Sequence, residues 1–295
     1  MSRIALAFTL LACVLTTLAA PALAGPIDQA GWAERKRTVA LPNGIRLAYV
    51  ELGNPEGAPL LLLHGYTDSS RVWTILAPYL EDHRILIPDQ RGHGASSAPA
   101  CCYAMSDLAE DARLFLDAMG VERAAVVGHS MGSMVAQVLA AEHPGRVTRI
   151  ALIGSTALVP VRRSDWMWRE IMALRAPIAG NAEFLRAWGP ASSPTPVDPA
   201  LIPFYEPEIA ATPPHVWRSV LRELVDLPVG RHAADVRAPV LILSGGRDEL
   251  FPAEHHAALV AAYPGAEAHV FADLGHNLIL ERPQEVGPRL AAFLR

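Results

Sequence analysis

Short apolar runs alternate with helical segments along the first half of the chain, from about residue 38 to residue 153. Apolar runs without polar interruptions, such as residues 61–63 and 124–127, are typical of parallel strands that are covered on both faces. Strands that alternate with helices form repeated βα units. The pattern therefore predicts an α/β protein with a mostly parallel central sheet flanked by helices.

The alternation is interrupted in the second half of the chain. Strand-like segments disappear between about residues 155 and 235, and the sheet pattern resumes at residue 238. Residues 189–214 are rich in proline, which removes a backbone donor and breaks helices. We therefore expect an insertion between two strands of one sheet. No linker or repeat suggests a unit that folds separately.

The most informative motif is Gly-His-Ser-Met-Gly at residues 128–132. It follows the strand-like residues 124–127 and precedes a helix-like segment at residues 133–140. Small residues suit a sharp strand-to-helix turn, in which the backbone of the central residue is strained and neighbouring elements approach closely. The turn would expose the hydroxyl of Ser130 above the sheet, which makes Ser130 the candidate nucleophile.

A serine hydroxyl needs a neighbouring base that is itself oriented by an acid. Residues 239–246 predict a buried strand with Asp248 just past its end, and residues 268–272 predict another strand, followed by His276 in a loop. We therefore expect His276 to act as the base and Asp248 as the acid. The chain order is Ser, Asp, His.

Other polar residues near these positions have alternative interpretations. His129 is expected to pack inside the turn, and the adjacent His255 and His256 are expected to be solvated on a helix. Glu249 and Glu254 are alternatives to Asp248. The sequence has neither a His-Glu-x-x-His motif nor a Cys-x-x-Cys pair. We therefore expect no metal site and no cofactor.

With these motifs the chain resembles the α/β-hydrolase superfamily, in particular its cap-bearing, esterase- and lipase-like serine hydrolases. The sequence Leu-Leu-Leu-His-Gly-Tyr at residues 61–66 is similar to a strand and His-Gly turn of that family. Residues 89–96 resemble its Asp-x-Arg-Gly-x-Gly-x-Ser loop, which has a mostly structural role. The resemblance implies that the backbone N–H groups of Tyr66 and Met131 form an oxyanion hole.

The resemblance also implies a domain organisation and an activity. Residues 25–295 would form one hydrolase domain, and about residues 156–236 would form a mainly helical cap inserted into it. The expected reaction is cleavage of a carboxylic ester of a small, largely apolar substrate through an acyl-enzyme intermediate. Ser130 in place of an aspartate disfavours epoxide hydrolase and haloalkane dehalogenase chemistry.

Several other activities use the same three residues and stay open. They are those of a lactonase, a thioesterase, a carbon–carbon bond hydrolase and a cofactor-free perhydrolase. A binding protein that keeps the pocket without catalysis is disfavoured by the presence of Ser130, Asp248 and His276 together.

Composition narrows the range of partners. The chain has 295 residues, 51% hydrophobic content and a formal net charge of −5, which is compatible with one large core. The absence of a basic run argues against nucleic acid or an anionic membrane surface as a partner. A small-molecule ester is the expected partner, and the oligomeric state is left open.

The N-terminus predicts export. A positive start at Arg3, an apolar stretch at residues 4–18 and a small-x-small pattern that ends at Ala24 are typical of a secretory signal peptide, which we assign to residues 1–24. The mature protein would be periplasmic or extracellular, without a stable membrane span. The alternatives are an uncleaved anchor, which Pro21 disfavours because it shortens the apolar run, and a lipoprotein signal at Cys13.

Two further features leave their roles open. Cys101 and Cys102 are adjacent and favour two free thiols over a disulfide, because neighbouring Cα atoms lie closer than the usual disulfide range. The cap also carries several aromatic residues, which would either line an apolar pocket or hold the cap on the core. They are Trp166, Trp168, Trp188, Phe204, Tyr205 and Trp217.

Overall fold

The computed structural model describes residues 27–189 and 193–295, which contain a central sheet and flanking helices. The strands are β1 (Arg37–Ala40), β2 (Arg46–Gly53), β3 (Pro59–Leu63), β4 (Arg84–Pro88), β5 (Ala124–His129), β6 (Val147–Ile153), β7 (Val240–Gly245) and β8 (Glu267–Phe271). The helices are α1 (Met105–Ala118), α2 (Met131–Glu142), α3 (Trp166–Ala173), α4 (Ala182–Trp188), α5 (Ile202–Ala211), α6 (Pro214–Leu224), α7 (Ala253–Ala262), α8 (Leu278–Glu281) and α9 (Pro283–Leu294).

The eight strands form one sheet in the order β1-β2-β4-β3-β5-β6-β7-β8. β2 pairs antiparallel with both β1 and β4, whereas every pair from β4 to β8 is parallel. The predicted α/β fold with a mostly parallel sheet is confirmed. The parallel arrangement brings the carboxyl ends of β3, β5, β7 and β8 to the same edge of the sheet.

Strand β3 is apolar along its whole length because helices cover both faces of the sheet. Leu61 and Leu63 of β3 pack in a cluster with α1 and α2. Leu60 and Leu62 face the opposite cluster, which includes α9. Successive side chains of a strand point to opposite faces, so a strand buried on both sides needs an uninterrupted apolar run.

Between β6 and β7 the described residues form helices and loops without a strand. This insertion contains helices α3 to α6 and two 3-10 helices, Ile178–Gly180 and Val229–Asp235, and it lies where the sequence predicts a mainly helical cap. Within the proline-rich segment α5 ends at Ala211 and α6 begins at Pro214, with Thr212 and Pro213 between them. The polar side of α6 faces outward, while residues such as Val216 and Trp217 are fully buried against the core.

The loop after β4 holds neighbouring segments together through Asp89. Its Oδ1 accepts a hydrogen bond from the N–H of Ser70 at 2.8 Å. Its Oδ2 accepts hydrogen bonds from the N–H of Ala95 and from the Nζ of Lys36, each at 2.8 Å. Asp89 is fully buried. A buried carboxylate with this set of donors has a structural role, in agreement with the prediction for residues 89–96.

Two expectations from the sequence are wrong. His256 is buried, not solvated, because one side of α7 packs against the core, whereas His255 is partly exposed and contacts Thr156 at 3.0 Å. Cys101 and Cys102 are joined by a disulfide, where two free thiols were favoured. Both cysteines lie in an exposed loop before α1, and the carbonyl oxygen of Cys102 accepts a hydrogen bond from Arg91.

The predicted signal peptide, residues 1–24, lies outside the described residues, so this assignment stays a prediction. In the described ranges no helix combines the length and the apolar character that crossing a membrane requires.

Candidate active site

Ser130 lies in a sharp turn between β5, which ends at His129, and α2, which begins at Met131. Its backbone has φ 51° and ψ −122°, a strained conformation for a residue with a side chain. A Cβ atom on Gly128 would overlap Gly132, and one on Gly132 would overlap the backbone of β3. The two glycines are therefore required by close backbone packing around the serine.

The structure brings Ser130, His276 and Asp248 together. The Nε2 of His276 lies 2.8 Å from the Oγ of Ser130, and its Nδ1 lies 2.8 Å from the Oδ2 of Asp248. An ionised carboxylate only accepts hydrogen bonds, so Nδ1 carries the proton and Nε2 is free to accept the serine O–H. Asp248, and neither Glu249 nor Glu254, is the carboxylate bonded to His276.

Asp248 is held in its ionised form. Burial favours the neutral carboxyl, but the nearby His276 and the backbone N–H groups of Leu250 and Phe251 outweigh burial and lower the pKa of Asp248. These two N–H groups donate to Oδ1 at 2.9 Å each. One carboxylate oxygen is thus fixed by the backbone, which leaves the other to orient the imidazole.

The pKa of His276 is raised above its ordinary value. Burial disfavours the imidazolium, but the charge of Asp248 and the hydrogen bond to it outweigh burial, and Asp68 and Glu281 act in the same direction. The protonated form of His276 is therefore stabilised by its surroundings, as a base needs when it takes up a proton during a reaction.

Two side chains hold the loop that carries His276. The Nε2 of His129 lies 2.9 Å from the backbone carbonyl oxygen of His276. The Oε2 of Glu281 accepts the N–H of Gly275 at 2.8 Å. His129 is buried, as predicted, and burial lowers its pKa to about 3, so it is neutral.

Tyr66 and Met131 both border the same cavity as Ser130. Tyr66 follows the His-Gly turn after β3, and Met131 is the first residue of α2, where backbone N–H groups lack partners inside the helix. Neither N–H has an acceptor within the described chain. Both are therefore available to a negatively charged oxygen, and the second lies at the positive end of the α2 dipole.

The His-Gly turn is fixed by His64. Its Nε2 accepts the N–H of Gln90 at 2.9 Å, so Nδ1 carries the proton and donates to the carbonyl oxygen of Gly65 at 2.8 Å. Burial, together with the neighbouring His93, lowers the pKa of His64 to about 3. A neutral imidazole with both nitrogens bonded keeps the backbone at Tyr66 in one conformation.

A cavity of about 360 Å³ opens above Ser130, and the cap forms much of its wall. Its apolar lining consists of Met131, Met134, Val159, Val161, Trp166, Met167, Ala187, Trp188, Ile209, Leu221, Leu224, Leu250 and Phe251. Its polar groups are Asp68, Glu249 and Asn277 together with the residues of the Ser130 site. A cavity of this size and character fits a small, mostly apolar molecule.

The cap aromatics divide between the two roles that the sequence left open. Trp166 and Trp188 line the cavity, and half of Trp166 is exposed. Trp217 is fully buried and packs on Trp188, with ring centroids 5.1 Å apart. The other cap aromatics, Trp168, Phe184, Phe204 and Tyr205, do not border the cavity. Packing of the cap therefore uses more of these rings than the pocket does.

The cap is bonded to the loop after β3. Tyr66 donates its hydroxyl proton to the carbonyl oxygen of Trp217, and Trp188 donates its indole N–H to the Thr67 hydroxyl at 2.8 Å. Further along the loop, Arg71 pairs with Glu208 of α5 at 2.6 Å. A shift of the cap would therefore also displace the loop backbone around Tyr66.

Sequence patterns did not single out Asp68 or Glu281. Asp68 lies two residues after Tyr66, in a loop where an acidic residue is ordinary. Glu281 is the one charged residue in an otherwise apolar α8 segment, which is the signal that would have marked it as a buried acid. Among residues 27–189 and 193–295, no group of three or more His, Cys, Asp or Glu side chains is placed to hold a metal ion.

Comparison with known proteins agrees with this architecture. Residues 58–283 match the family model of the alpha/beta hydrolase fold. The structure of a hydrolase from Pseudomonas aeruginosa PA01 superimposes with a TM-score of 0.78 at 28% identity, covering 88% of this chain and 98% of that protein.

Two curated relatives illustrate the range of activities. Lipase 1 from Psychrobacter immobilis is 26% identical in an alignment that covers 87% of this chain and 83% of the lipase. The dihydrolipoyllysine-residue acetyltransferase component of the acetoin cleaving system from Pseudomonas putida is 27% identical in an alignment that covers 92% of this chain and 72% of that protein. The names of these relatives describe different reactions, so family membership alone does not identify the reaction of this protein.

Proposed function

The chain belongs to the alpha/beta hydrolase fold family, and from that premise we propose that it is a serine hydrolase. It cleaves carboxylic esters of small, largely apolar molecules through an acyl-enzyme intermediate. The observation that carries this proposal is the continuous chain of contacts from Ser130 through His276 to Asp248, with 2.8 Å at each step.

Acylation begins when the Oγ of Ser130 attacks the ester carbonyl carbon and passes its proton to the Nε2 of His276. The C–O bond order of the carbonyl falls, and negative charge develops on its oxygen. The backbone N–H groups of Tyr66 and Met131 donate hydrogen bonds to this oxygen and stabilise its negative charge. Asp248 keeps the proton on Nδ1 and stabilises the imidazolium that forms.

Collapse of this intermediate breaks the bond to the leaving alcohol, which receives the proton from Nε2 of His276. The acyl group is then bonded to the Oγ of Ser130. A water molecule gives a proton to Nε2 and attacks the acyl carbon, which restores the serine hydroxyl and releases the carboxylic acid. His276 thus takes up and returns one proton in each half of the reaction.

The cavity supports the proposed substrate class. Its walls are mostly aliphatic, methionine and aromatic side chains, and its volume is about 360 Å³. The acyl or alcohol part of a small ester would gain free energy by leaving water for such a surface. A long acyl chain would not fit in this volume.

Hydrolysis of p-nitrophenyl esters of increasing acyl length tests the proposal. We expect turnover that falls once the acyl chain exceeds the cavity. Ser130→Ala should lower kcat/KM by about a thousandfold or more with the fold intact, because the nucleophile is lost. Turnover that persists in Ser130→Ala, or a folded protein that cleaves none of these esters, would contradict the proposal.

A further inference from the structure

Asp68 is an acidic side chain of the cavity that the reaction described above does not use. It lies in the loop after β3 and borders the cavity together with Ser130 and His276. Its Oδ2 and the Cβ of Ser130 both lie within 3.3 Å of the position that a Cβ atom on Gly65 would occupy. The carboxyl group is therefore placed beside the nucleophile, in the region where the reacting ester must bind.

Among residues 27–189 and 193–295, no lysine or arginine forms an ion pair with Asp68. Among the described residues, the basic side chain within 4.0 Å of its carboxylate is His129, whose Nδ1 lies 4.0 Å from the Oδ2 of Asp68. His129 is uncharged because burial lowers its pKa to about 3. Arg71, on the same loop, is paired with Glu208 of the cap at 2.6 Å. The charge of Asp68 is therefore balanced only when a cation enters the cavity or His276 is protonated.

The described part of the cavity lining carries no cationic side chain that would bind an anionic substrate. None of its described lining residues is a lysine or an arginine. Glu249, at the rim of the cavity, adds a second acidic group that is exposed to solvent. A negative charge on the substrate would therefore meet like charge in a partly desolvated space, where such repulsion is only weakly screened.

We propose that Asp68 is a specificity-determining residue that makes this site select cationic and uncharged esters and reject esters that carry a carboxylate. The inference rests on the proposed ester hydrolysis and names the charge class of its substrates. Asp68 acts on the bound substrate through its charge and takes no part in the proton transfers of Ser130 and His276.

The same placement makes the selectivity depend on pH. Burial raises the pKa of Asp68 to about 7, although the charge of His276 opposes this shift. The carboxyl is mostly neutral below that value and mostly ionised above it, so rejection of anionic esters should strengthen as the pH rises. The titratable side chains that interact with Asp68 are His129, His276, Glu208 and Tyr205. Tyr66 and Glu249 line the same cavity.

Three p-nitrophenyl esters with acyl groups of similar size test the proposal. They are the ester of γ-trimethylammoniobutyrate, its uncharged carbon isostere with a tert-butyl group, and the half-ester of glutarate. The measured quantity is the ratio of kcat/KM values between two esters for one protein. Ionisation of His276 affects all three esters alike and cancels in this ratio.

We expect the native protein to favour the cationic and uncharged esters over the glutarate half-ester, and this preference to grow between about pH 6 and pH 8 as Asp68 ionises. Asp68→Asn, which keeps the shape of the side chain, should reduce the preference by about tenfold or more and remove its pH dependence. Glu254→Gln is the matched control, because it removes an exposed acid of α7 that does not line the cavity. This control should change the ratio much less.

Equal ratios in the native protein and in Asp68→Asn would overturn the proposal, including the case where the variant loses activity toward all three esters equally. If Asp68→Asn does not fold, the native protein decides alone, and a ratio that stays constant with pH overturns the proposal. Failure of the proposed function has a different signature. Ser130→Ala would then retain turnover, or no ester would be cleaved, and the inference would fall with it.

Discussion

His129 and His276 are connected by a hydrogen bond in which the Nε2 of His129 donates to the backbone carbonyl oxygen of His276 at 2.9 Å. The carbonyl oxygen can only accept, so the proton of the neutral His129 ring lies on Nε2. A side chain of the nucleophile turn thus positions the loop that carries the base. The position of His276 relative to Ser130 is therefore held by this bond as well as by the direct contact between the two side chains.

Replacing His129 should therefore affect turnover although it is not a catalytic residue. His129→Leu removes the donor, and we expect kcat to fall by about tenfold to a hundredfold because the imidazole of His276 is less well placed. His129→Gln keeps an N–H donor of similar reach and should recover part of the loss. Steady-state kinetics with an uncharged ester, next to thermal unfolding of each variant, separates positioning from stability. Equal kcat values for the two variants would argue against this role.

Asp248→Asn should lower kcat by about a thousandfold or more with little change in KM. The amide removes the negative charge that stabilises the imidazolium, and it no longer holds the proton on Nδ1 of His276. Glu249→Gln, one residue along the chain and exposed, should retain nearly full activity on the same uncharged ester. If the two variants had similar kcat values, the assignment of Asp248 as the acid would be wrong.

The pH profile should show loss of activity in acid. His276 acts as a base only when it is unprotonated, and Asp248 raises its pKa above the ordinary value of 6.5. For an uncharged ester, kcat/KM should therefore rise with pH, with its acid half-point above 6.5. Asp68→Asn should move this half-point to lower pH, because Asp68 also favours the imidazolium. A native half-point below 6.5 would contradict this account of the electrostatics.

The ion pair between Arg71 and Glu208 should stabilise the cap on the core. Glu208 also accepts a hydrogen bond from Ser69, and the pair is mostly buried. Glu208→Gln should lower the free energy of unfolding by roughly 1 to 3 kcal/mol, because a buried guanidinium loses its charged partner. Glu206→Gln, on the same helix, is the control in a denaturant titration. Equal unfolding midpoints for the two variants would show that the ion pair does not fasten the cap.

The sequence alone predicted the features that depend on local order along the chain. The strand, glycine turn and helix around Ser130 are contiguous, so the residues themselves indicate the turn that exposes the hydroxyl. Asp248 and His276 each follow a recognisable strand, and parallel strands end at one edge of a sheet. The sequence alone therefore indicates that Asp248 and His276 lie close to Ser130. It also indicates a helical insertion where the strand-like runs stop.

The packing of distant segments decided the rest. Asp68 borders the cavity without a lysine or arginine partner among the described residues, and Arg71 of the same loop is paired with Glu208, far away in the chain. His256 is buried, and Trp217 packs while Trp188 lines the pocket, because neighbouring elements cover one side of each helix and leave the other open. Burial and pairing depend on contacts between residues far apart in sequence, and such contacts leave no periodic signal in the residues that make them.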